Sequence, residues 1–353
     1  MGDRDSITCL PTTDYDESAL AQTVNETLVK RQWFCMIHPG ITVGAIALFA
    51  TACTQSSANL GIFSEESSPT STSESGELAT NAADVAEPVR YATHELDTAI
   101  VHTVSIAAAA SAQVTVMTSE QLTPLDDLVE SVGAIAAINA GFFDPNNQQT
   151  TSFIRFDGAI VADPRTNDRL IQNPDLAPYM DAILNRSEFR HYRCLKESDD
   201  SSSVEVSDYA IAPHNAPVPS QCRIHFSVGA GPQLLPQLMS VEEGFLTYNS
   251  SGQVVRDAIG SLSPNARSAI GITADNTLVL AIVAQQGDRP TPSGLSLPDF
   301  ADFLASIGVE QALNLDGGSS TSLFYDGETY YGRLNAEGQP IERSVKSAIL
   351  ILD

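Results

Sequence analysis

Cationic residues are scarce in this chain of 353 residues. Its 18 lysines and arginines stand against 44 aspartates and glutamates, which gives a formal net charge of −26. A nucleic-acid backbone requires a clustered cationic surface, so this balance argues against nucleic acid as a partner. Simple electrostatic attachment to an anionic membrane is disfavoured for the same reason. Lysine is especially rare, and the chain contains only Lys30, Lys196 and Lys346.

Several signatures of common enzyme classes are missing. The six histidines and five cysteines are scattered along the sequence without the spacing of zinc ligands. There is no G-x-S-x-G nucleophile elbow, no P-loop and no dinucleotide-binding fingerprint. Serine-hydrolase, P-loop and nicotinamide-dependent functions therefore have no support in the sequence.

An apolar run from Ile41 to Ala52 is too short to span a bilayer comfortably, but it suits the apolar core of a secretory signal. The small residues before Cys53 resemble the end of a bacterial lipoprotein signal, in which Cys53 would be lipidated. We therefore predict that residues 1–53 are an N-terminal extension with a lipoprotein-like signal. The protein is expected to be exported, periplasmic or at the cell surface, with a lipid anchor as its contact with the membrane. The simpler alternative is a buried apolar segment.

Residues 54–88 are rich in Ser, Thr, Glu and Ala and contain almost no large apolar residues. Such a segment cannot bury enough surface to fold. We predict a disordered linker here, followed by a single catalytic domain at residues 89–353.

Few cysteines remain for the folded domain. If the chain is cleaved at Cys53, Cys194 and Cys222 are the two cysteine side chains left in that domain. In an exported protein this favours a Cys194–Cys222 disulfide. The alternative is a pair of free, buried thiols.

Strand patterns dominate the predicted domain. Polar and apolar residues interleave from Tyr91 to Ile106 and from Gln113 to Met117, which predicts strands. The pairs Asp157-Gly158 and Asp326-Gly327 stand between apolar segments and predict hairpin turns.

Helices are fewer. Thr123 and Pro124 predict the start of a helix that ends near Gly133, and a second helix is predicted over residues 174–185. Ser296 predicts the cap of a third helix. Many hairpins with few helices indicate an α+β fold, built on a large, mainly antiparallel β-sheet with a few packed helices.

The most informative segment runs from Ala312 to Thr321. An apolar, strand-like run ends in Asn314 and Asp316, and two glycines and three hydroxyl residues follow. Strand interiors rarely hold Asp or tandem Gly. A glycine pair lets the backbone turn sharply and approach a bound group, with amides exposed to an anion. The segment therefore predicts a site for a polar or phosphorylated ligand, or alternatively a tight hairpin with Asp-Gly as its turn.

The segment from Ala134 to Asp144 repeats this order, with an apolar run, Asn139, small residues, paired phenylalanines and an acid. Arg267 and Arg343 each stand at the entrance of a predicted strand. In so acidic a chain, such an arginine is a candidate anion ligand because its planar guanidinium grips phosphate through two hydrogen bonds.

Taken together and in this order, the segments around Asn139, Arg267, Asp316 and Arg343 resemble the phosphodiester glycosidase family over roughly residues 89–353. Many relatives carry a third glycine before Ser-Ser-Thr, where this chain has only Gly317 and Gly318. The resemblance implies a hydrolase that cleaves a sugar-phosphodiester (glycosyl-1-phosphate ester) bond, with a carbohydrate or glycosyl phosphate as substrate. Together with the signal-like segment, it leads us to expect an exported enzyme that acts on envelope or extracellular glycans.

This chemistry assigns roles to the motif residues. Asp316 is the expected base or electrostatic stabiliser, and Asn139 and Asn314 are expected to orient the sugar or the water. Asp144 and Asp288 are candidates for a second acid or base. The residues expected to bind the phosphate are Arg267, Arg343, Gly317, Gly318, Ser319, Ser320 and Thr321.

Alternatives remain open for each assignment. The two arginines could pair with buried acids, Asp316 could cap a turn, and Asn139 could satisfy backbone groups in a bend. No cofactor is expected, although carboxylates near Asp316 leave a divalent cation open. At the level of function, the alternatives are a non-catalytic envelope module that binds anionic glycans and a purely structural lipoprotein.

Overall fold

The computed structural model of the protein describes residues 87–197, 203–287 and 293–353. The signal-like segment, Cys53, nearly all of the linker and Asp288 lie outside the described residues. The division of the chain at residues 53 and 88 therefore stays a prediction.

Strands make up most of the described chain. They are β1 (Val89–Glu95), β2 (Ile100–Ile106), β3 (Gln113–Thr123), β4 (Ala136–Asn139), β5 (Ile154–Phe156), β6 (Ala159–Ala162), β7 (Ser187–Glu197), β8 (Ser203–Pro213), β9 (Cys222–Gly229), β10 (Gln233–Leu235), β11 (Leu246–Tyr248), β12 (Val254–Asp257), β13 (Arg267–Thr273), β14 (Leu278–Ala284), β15 (Val309–Asn314), β16 (Ser322–Tyr325), β17 (Glu328–Tyr331) and β18 (Val345–Leu352).

The α-helices are α1 (Leu125–Val132), α2 (Asp168–Ile171), α3 (Met180–Ile183) and α4 (Leu297–Ser306). Within the described ranges, none of them has both the length and the apolar character needed to cross a membrane.

The strands form three larger sheets and one two-stranded ribbon. One sheet has six strands in the order β1-β2-β14-β13-β15-β10, and two have five, β17-β16-β4-β18-β3 and β6-β5-β9-β7-β8. β11 pairs with β12. The paired strands run antiparallel. The predicted α+β class with mainly antiparallel strands is therefore confirmed.

The main core lies between the six-stranded sheet and the two five-stranded sheets. Alternation along each strand decides which side chains enter it, because successive residues point to opposite faces. Ile270 enters the main core, whereas its neighbour Ala269 packs on the other face with Phe300 and Leu304 of α4. Burial of each large apolar side chain contributes about 1.5–3 kcal/mol to stability. The sheets thus hold a rigid frame whose strand ends carry the functional motifs.

Both predicted hairpin turns are present. Asp157 and Gly158 have φ of 47° and 81°, and Asp326 and Gly327 have φ of 47° and 84°. Two successive left-handed residues make the tight turn whose twist matches that of antiparallel strands. They join β5 to β6 and β16 to β17.

Helix α4 begins as predicted, since the Oγ of Ser296 accepts a hydrogen bond from the amide of Asp299 at 3.2 Å. α1 also forms and ends at Gly133, which has the left-handed conformation typical of a helix C-terminus. Its predicted hydroxyl cap is wrong, however. The hydroxyl of Thr123 instead donates to the carbonyl of Gln121 at 3.1 Å.

Two predicted elements are divided in the structure. The predicted strand over residues 91–106 is a hairpin, β1 and β2, whose turn the alternating pattern did not reveal. The predicted helix over residues 174–185 contains only a 3-10 turn at Ala177–Tyr179 and the short α3. Pro178 explains this second difference, because proline has no amide hydrogen and clashes with the carbonyl four residues before it.

A buried ion pair stabilises the β8 edge of the five-stranded sheet β6-β5-β9-β7-β8. Arg190 and Glu188 are 1% and 0% exposed at their side chains, and Nε of Arg190 lies 3.0 Å from the carboxylate. The same guanidinium donates to the carbonyls of Pro213, His214 and Ala216 at 2.6–3.0 Å. The arginine therefore holds the chain just after the edge strand β8.

The predicted disulfide between Cys194 and Cys222 is present in the structure. These residues are directly opposite each other on β7 and β9. They are separated by 28 residues of sequence, a stretch that includes β8.

Replacing both cysteines, in C194A/C222A, should lower the free energy of unfolding by about 3 kcal/mol, because a loop of this length gains chain entropy in the unfolded state. Urea unfolding of the oxidised proteins measures the difference. Reductant should bring the wild type to the level of the double variant and leave the variant unchanged. Equal stability of the two oxidised proteins would contradict the predicted contribution.

Candidate active site

The four sequence motifs meet at one end of the sheets. β4 and β15 end at Asn139 and Asn314, and their partner strands β18 and β13 begin opposite those ends. A backbone hydrogen bond joins the two sheets here, since the amide of Asp316 donates to the carbonyl of Ala140 at 2.9 Å. Within the six-stranded sheet, the amide of Leu315 donates to the carbonyl of Ser268 at 2.8 Å.

Asn139 links these segments through its fully buried carboxamide. Its Nδ2 donates to the backbone carbonyl of Asp316 at 2.6 Å. Its Oδ1 accepts from Ser268 Oγ at 2.7 Å and from the amide of Ser322 at 3.1 Å. Because both lone pairs of that oxygen are used, Asn139 positions Asp316 and is not aimed at a substrate.

Asn314 has a similar framework role. Its Nδ2 donates to the carbonyls of Gly231 and Leu315, both at 2.9 Å. The backbone amide of Gly231 donates in return to the carbonyl of Asn314 at 2.9 Å. The side-chain oxygen is buried and has no hydrogen-bond partner among the described residues.

Asp316 is half-buried and supplies the site's carboxylate. Burial raises the pKa of this carboxyl to about 6, against the opposing influences of Ser320, the Arg343 charge and the Gly317 amide. The Oγ of Ser320 forms no hydrogen bond with Asp316 and acts on its pKa as a nearby dipole. A pKa near 6 places the charge change of Asp316 within the physiological range.

The glycine pair lets the loop after Asp316 approach β13. A Cβ atom at Gly317 would lie 3.0 Å from the carbonyl oxygen of Ala266, and Gly318 has a φ of 62°. The amide of Gly318 donates to that same carbonyl at 2.9 Å. The predicted phosphate contact from this amide is therefore not supported, because its hydrogen is already bonded within the loop.

Hydroxyl groups line the loop. Ser319 Oγ accepts from Arg343 Nη1 at 2.7 Å. Ser320 and Thr321 are 1% and 0% exposed, and their side-chain oxygens have no hydrogen-bond partner among the described residues. A buried polar group without a partner costs about 1–3 kcal/mol, so such groups are typical of ligand sites.

Arg343 has the properties of an anion ligand. Its guanidinium carbon lies 5.0 Å from the ring centroid of Phe143, and the hydrogen bond to Ser319 occupies one of its donors. It forms no salt bridge within the described ranges. Its charge is nevertheless close enough to Asp316 to lower the pKa of that carboxyl. The remaining donors can therefore bind an anion beside Asp316.

Arg267, which the sequence predicted to bind phosphate, is buried against backbone carbonyls instead. The residue is 2% exposed, and its guanidinium donates to the backbone carbonyls of Ile259, Gly260, Ser263 and Leu295 at 2.5–3.2 Å. A phosphate cannot compete for donors that are already buried against carbonyls. Arg267 therefore stabilises the turn over residues 259–263 and does not belong to the anion site.

The two candidates for a second acid or base gain no support. Asp144 accepts from Arg169 Nε and from the amide of Asn146, both at 2.8 Å. Burial alone would raise the pKa of Asp144, but these partners outweigh it and lower the pKa, so the group is a poor proton donor. Asp288 lies outside the described residues.

Three residues near the site were missed in the sequence. Ser268 binds Asn139, and Ser347 Oγ accepts from the amide of Gly141 at 3.0 Å. Arg333 donates to Asn265 at 3.3 Å and lies close to Gly318. Ser268 directly follows the strand entrance at Arg267, and Ser347 lies four residues after the entrance at Arg343, which is the one signal that the sequence offered.

Within the described part of the chain, no three His, Cys, Asp or Glu side chains lie together as a metal site. A divalent cation near Asp316, which the sequence left open, would therefore find fewer than three such side chains there among these residues.

The site combines a half-buried acid, an arginine and buried hydroxyls on an antiparallel framework. The sequence model of the phosphodiester glycosidase family matches residues 132–352. The chain belongs to this family, which confirms the resemblance seen in the motifs. No curated protein sequence matches the chain.

Solved structures give similar folds. The catalytic domain of zebrafish N-acetylglucosamine-1-phosphodiester α-N-acetylglucosaminidase, described as auto-inhibited by its pro-peptide, is 16% identical, with a TM-score of 0.53 over 76% of this chain and 85% of that one. At this identity the likeness shows a shared fold.

Two further matches are weaker. A Synechocystis protein is 18% identical, with a TM-score of 0.45 over 74% of this chain, and this chain spans 61% of its length. A Burkholderia pseudomallei protein is 16% identical, with a TM-score of 0.46 over 72% of this chain and 74% of that one.

Asp316→Asn should make the protein more stable at pH 8 by about 2 kcal/mol, because the folded protein disfavours the charge of Asp316. The gain should shrink as the pH falls through 6 and vanish near pH 3.5, where the wild-type carboxyl is neutral in both folded and unfolded chains. Urea unfolding at several pH values measures it.

Asp302→Asn, on the exposed face of α4, is the matched control and should show little change. A gain for Asp316→Asn that does not depend on pH would contradict the raised pKa.

Proposed function

We propose that the protein is a hydrolase that cleaves the bond between a sugar and the phosphate of a phosphodiester. The observation that carries this proposal is the pairing of Arg343, whose free donors suit a phosphate, with the half-buried carboxylate of Asp316 across the Ser319 loop. Family membership supports the same reaction.

The proposed reaction is a hydrolysis at the anomeric carbon of the sugar. Water adds its oxygen to the anomeric carbon while the bond from that carbon to the bridging phosphate oxygen breaks. The bonding electrons leave with the phosphate, which yields a free sugar and a phosphomonoester. Phosphate is already a good leaving group, so strong general-acid catalysis is less necessary than in an ordinary glycosidase.

Arg343 binds the phosphate and stabilises the charge that it gains as the bond breaks. Asp316, in its ionised form, faces the positive charge that develops at the anomeric carbon and accepts the proton of the attacking water. Asn139 keeps Asp316 in place through its backbone carbonyl.

We further propose that the protein is exported and anchored by lipid at Cys53, and that its substrates are glycans of the envelope or the extracellular space. The signal-like run and the Ser-rich linker of the sequence support this location. Mass spectrometry of the mature N-terminus tests it, and an unmodified chain that retains residues 1–53 would contradict it.

Asp316→Asn and Arg343→Met should each lower kcat/KM by about 100-fold or more on N-acetylglucosamine 1-phosphate methyl ester, because each removes charge stabilisation from the transition state. Release of free sugar is the measurement. Asp302→Asn and Arg223→Met, at exposed positions, are the matched controls.

Full turnover by the folded Asp316→Asn protein would remove Asp316 from the mechanism. Saturable binding of the ester by the wild type with no release of sugar over long incubation would instead favour a non-catalytic module for anionic glycans.

The pH profile gives an independent test. Since Asp316 acts as the carboxylate and burial raises its pKa to about 6, kcat/KM should fall as the pH drops below about 6. A ten-fold loss per pH unit is expected on this limb. Activity that rises on acidification through pH 6 would show that Asp316 acts in its protonated form.

A further inference from the structure

A groove of about 400 Å³ lies beside the Arg343 site and is not used by the proposed reaction. One wall is the end of β3 from Thr118 to Glu120, and the opposite wall is the segment from Ile160 to Asp163. Thr150 and Lys346 are also part of the lining.

The groove adjoins the active site through Phe143. The backbone of Phe143 pairs with that of Thr150, which lines the groove, while Arg343 lies over the Phe143 ring. Lys346, which lines the groove, directly precedes Ser347. The Oγ of Ser347 accepts a hydrogen bond from the amide of Gly141, close to Phe143 in sequence. Phe143 therefore connects Arg343 to the groove lining at Thr150.

Lys346 gives the groove a cationic group with free donors. Its Nζ donates to the backbone carbonyl of Glu120 at 2.6 Å and forms no salt bridge with any described residue. The ammonium thus retains two donors. In a chain with a net charge of −26, a half-buried lysine without a carboxylate partner is unusual.

The carboxylates around the groove do not neutralise this lysine. Asp163 is occupied by Arg165, whose Nη2 and Nε lie 2.6 Å and 2.9 Å from its oxygens. Glu120 is exposed at the rim, and it raises the pKa of Lys346, whereas the larger effect of burial lowers it. The charge of Lys346 therefore remains available to an anion within the groove.

The opposite wall contains exposed aliphatic residues besides Asp163. Ile160 and Val161 are 39% and 47% exposed, although they belong to a strand. Exposed aliphatic side chains beside a cation suit a ligand that has both a carbon chain or sugar ring and an anionic group.

We propose that this groove binds the alcohol portion of the phosphodiester and that Lys346 binds a second anionic group on that portion. The substrate class is then a glycosyl phosphodiester of an alditol phosphate or of a further sugar phosphate. This inference rests on the proposed function, because the groove is defined by its position beside the phosphate at Arg343.

Two esters of N-acetylglucosamine 1-phosphate test the proposal, one with methanol and one with a hydroxyl of glycerol 3-phosphate. The measured quantity is kcat/KM for the glycerol phosphate ester divided by that for the methyl ester. Lys346→Met should lower this ratio about tenfold, which corresponds to about 1.4 kcal/mol. Lys346→Arg should largely restore it, and Lys196→Met, which removes the same charge at an exposed position, should leave it unchanged.

A ratio that is the same in Lys346→Met and the wild type would overturn the groove assignment, as would an equal fall in Lys196→Met. If the wild type cleaves neither ester, the proposed function fails, and calorimetric binding of the glycerol phosphate ester then decides the groove. Weaker binding to Lys346→Met but not to Lys196→Met supports it, whereas equal or absent binding overturns it.

Discussion

The buried carboxamide of Asn139 is the interaction on which the rest of the site depends. It joins the end of β4 to Ser268 in the six-stranded sheet and to the backbone on both sides of the Gly317–Thr321 loop. Without it, three polar groups would be buried without partners where the sheets meet, which is costly. The position of Asp316 is therefore set by a neutral amide that contacts no substrate. In the proposed mechanism, Asp316 of one motif has the catalytic role and Asn139 of another has the framework role.

Much of the fold could be predicted because its signals are local. The Asp-Gly turns require left-handed residues, and the cap of α4 requires a hydroxyl at Ser296, so a few adjacent residues specify each feature. The assembly of the site was also predictable in outline. Polar residues directly after buried strands must lie at sheet ends, and the motifs around Asn139 and Asp316 do meet there.

The roles of individual side chains depended on distant segments and could not be predicted in the same way. Arg267 and Arg343 look alike in sequence, as arginines before strands. Arg267 meets the carbonyls of the 259–263 turn and is buried, whereas Arg343 meets a single hydroxyl and an aromatic ring. The low pKa of Asp144 likewise depends partly on its hydrogen bond with Arg169, 25 residues away in sequence. No local pattern distinguishes a guanidinium that faces carbonyls from one that faces a cleft.

The hydrogen bonds of Arg267 to backbone carbonyls determine how the structure near Asp316 depends on pH. Burial lowers the pKa of this guanidinium to about 10, so it stays protonated in neutral and acidic solution, and its partners are backbone carbonyls that do not titrate. The hydrogen bonds from Arg267 to the 259–263 turn therefore do not depend on pH in the range in which Asp316 changes its charge. Protonation of Asp316 leaves these four hydrogen bonds unchanged.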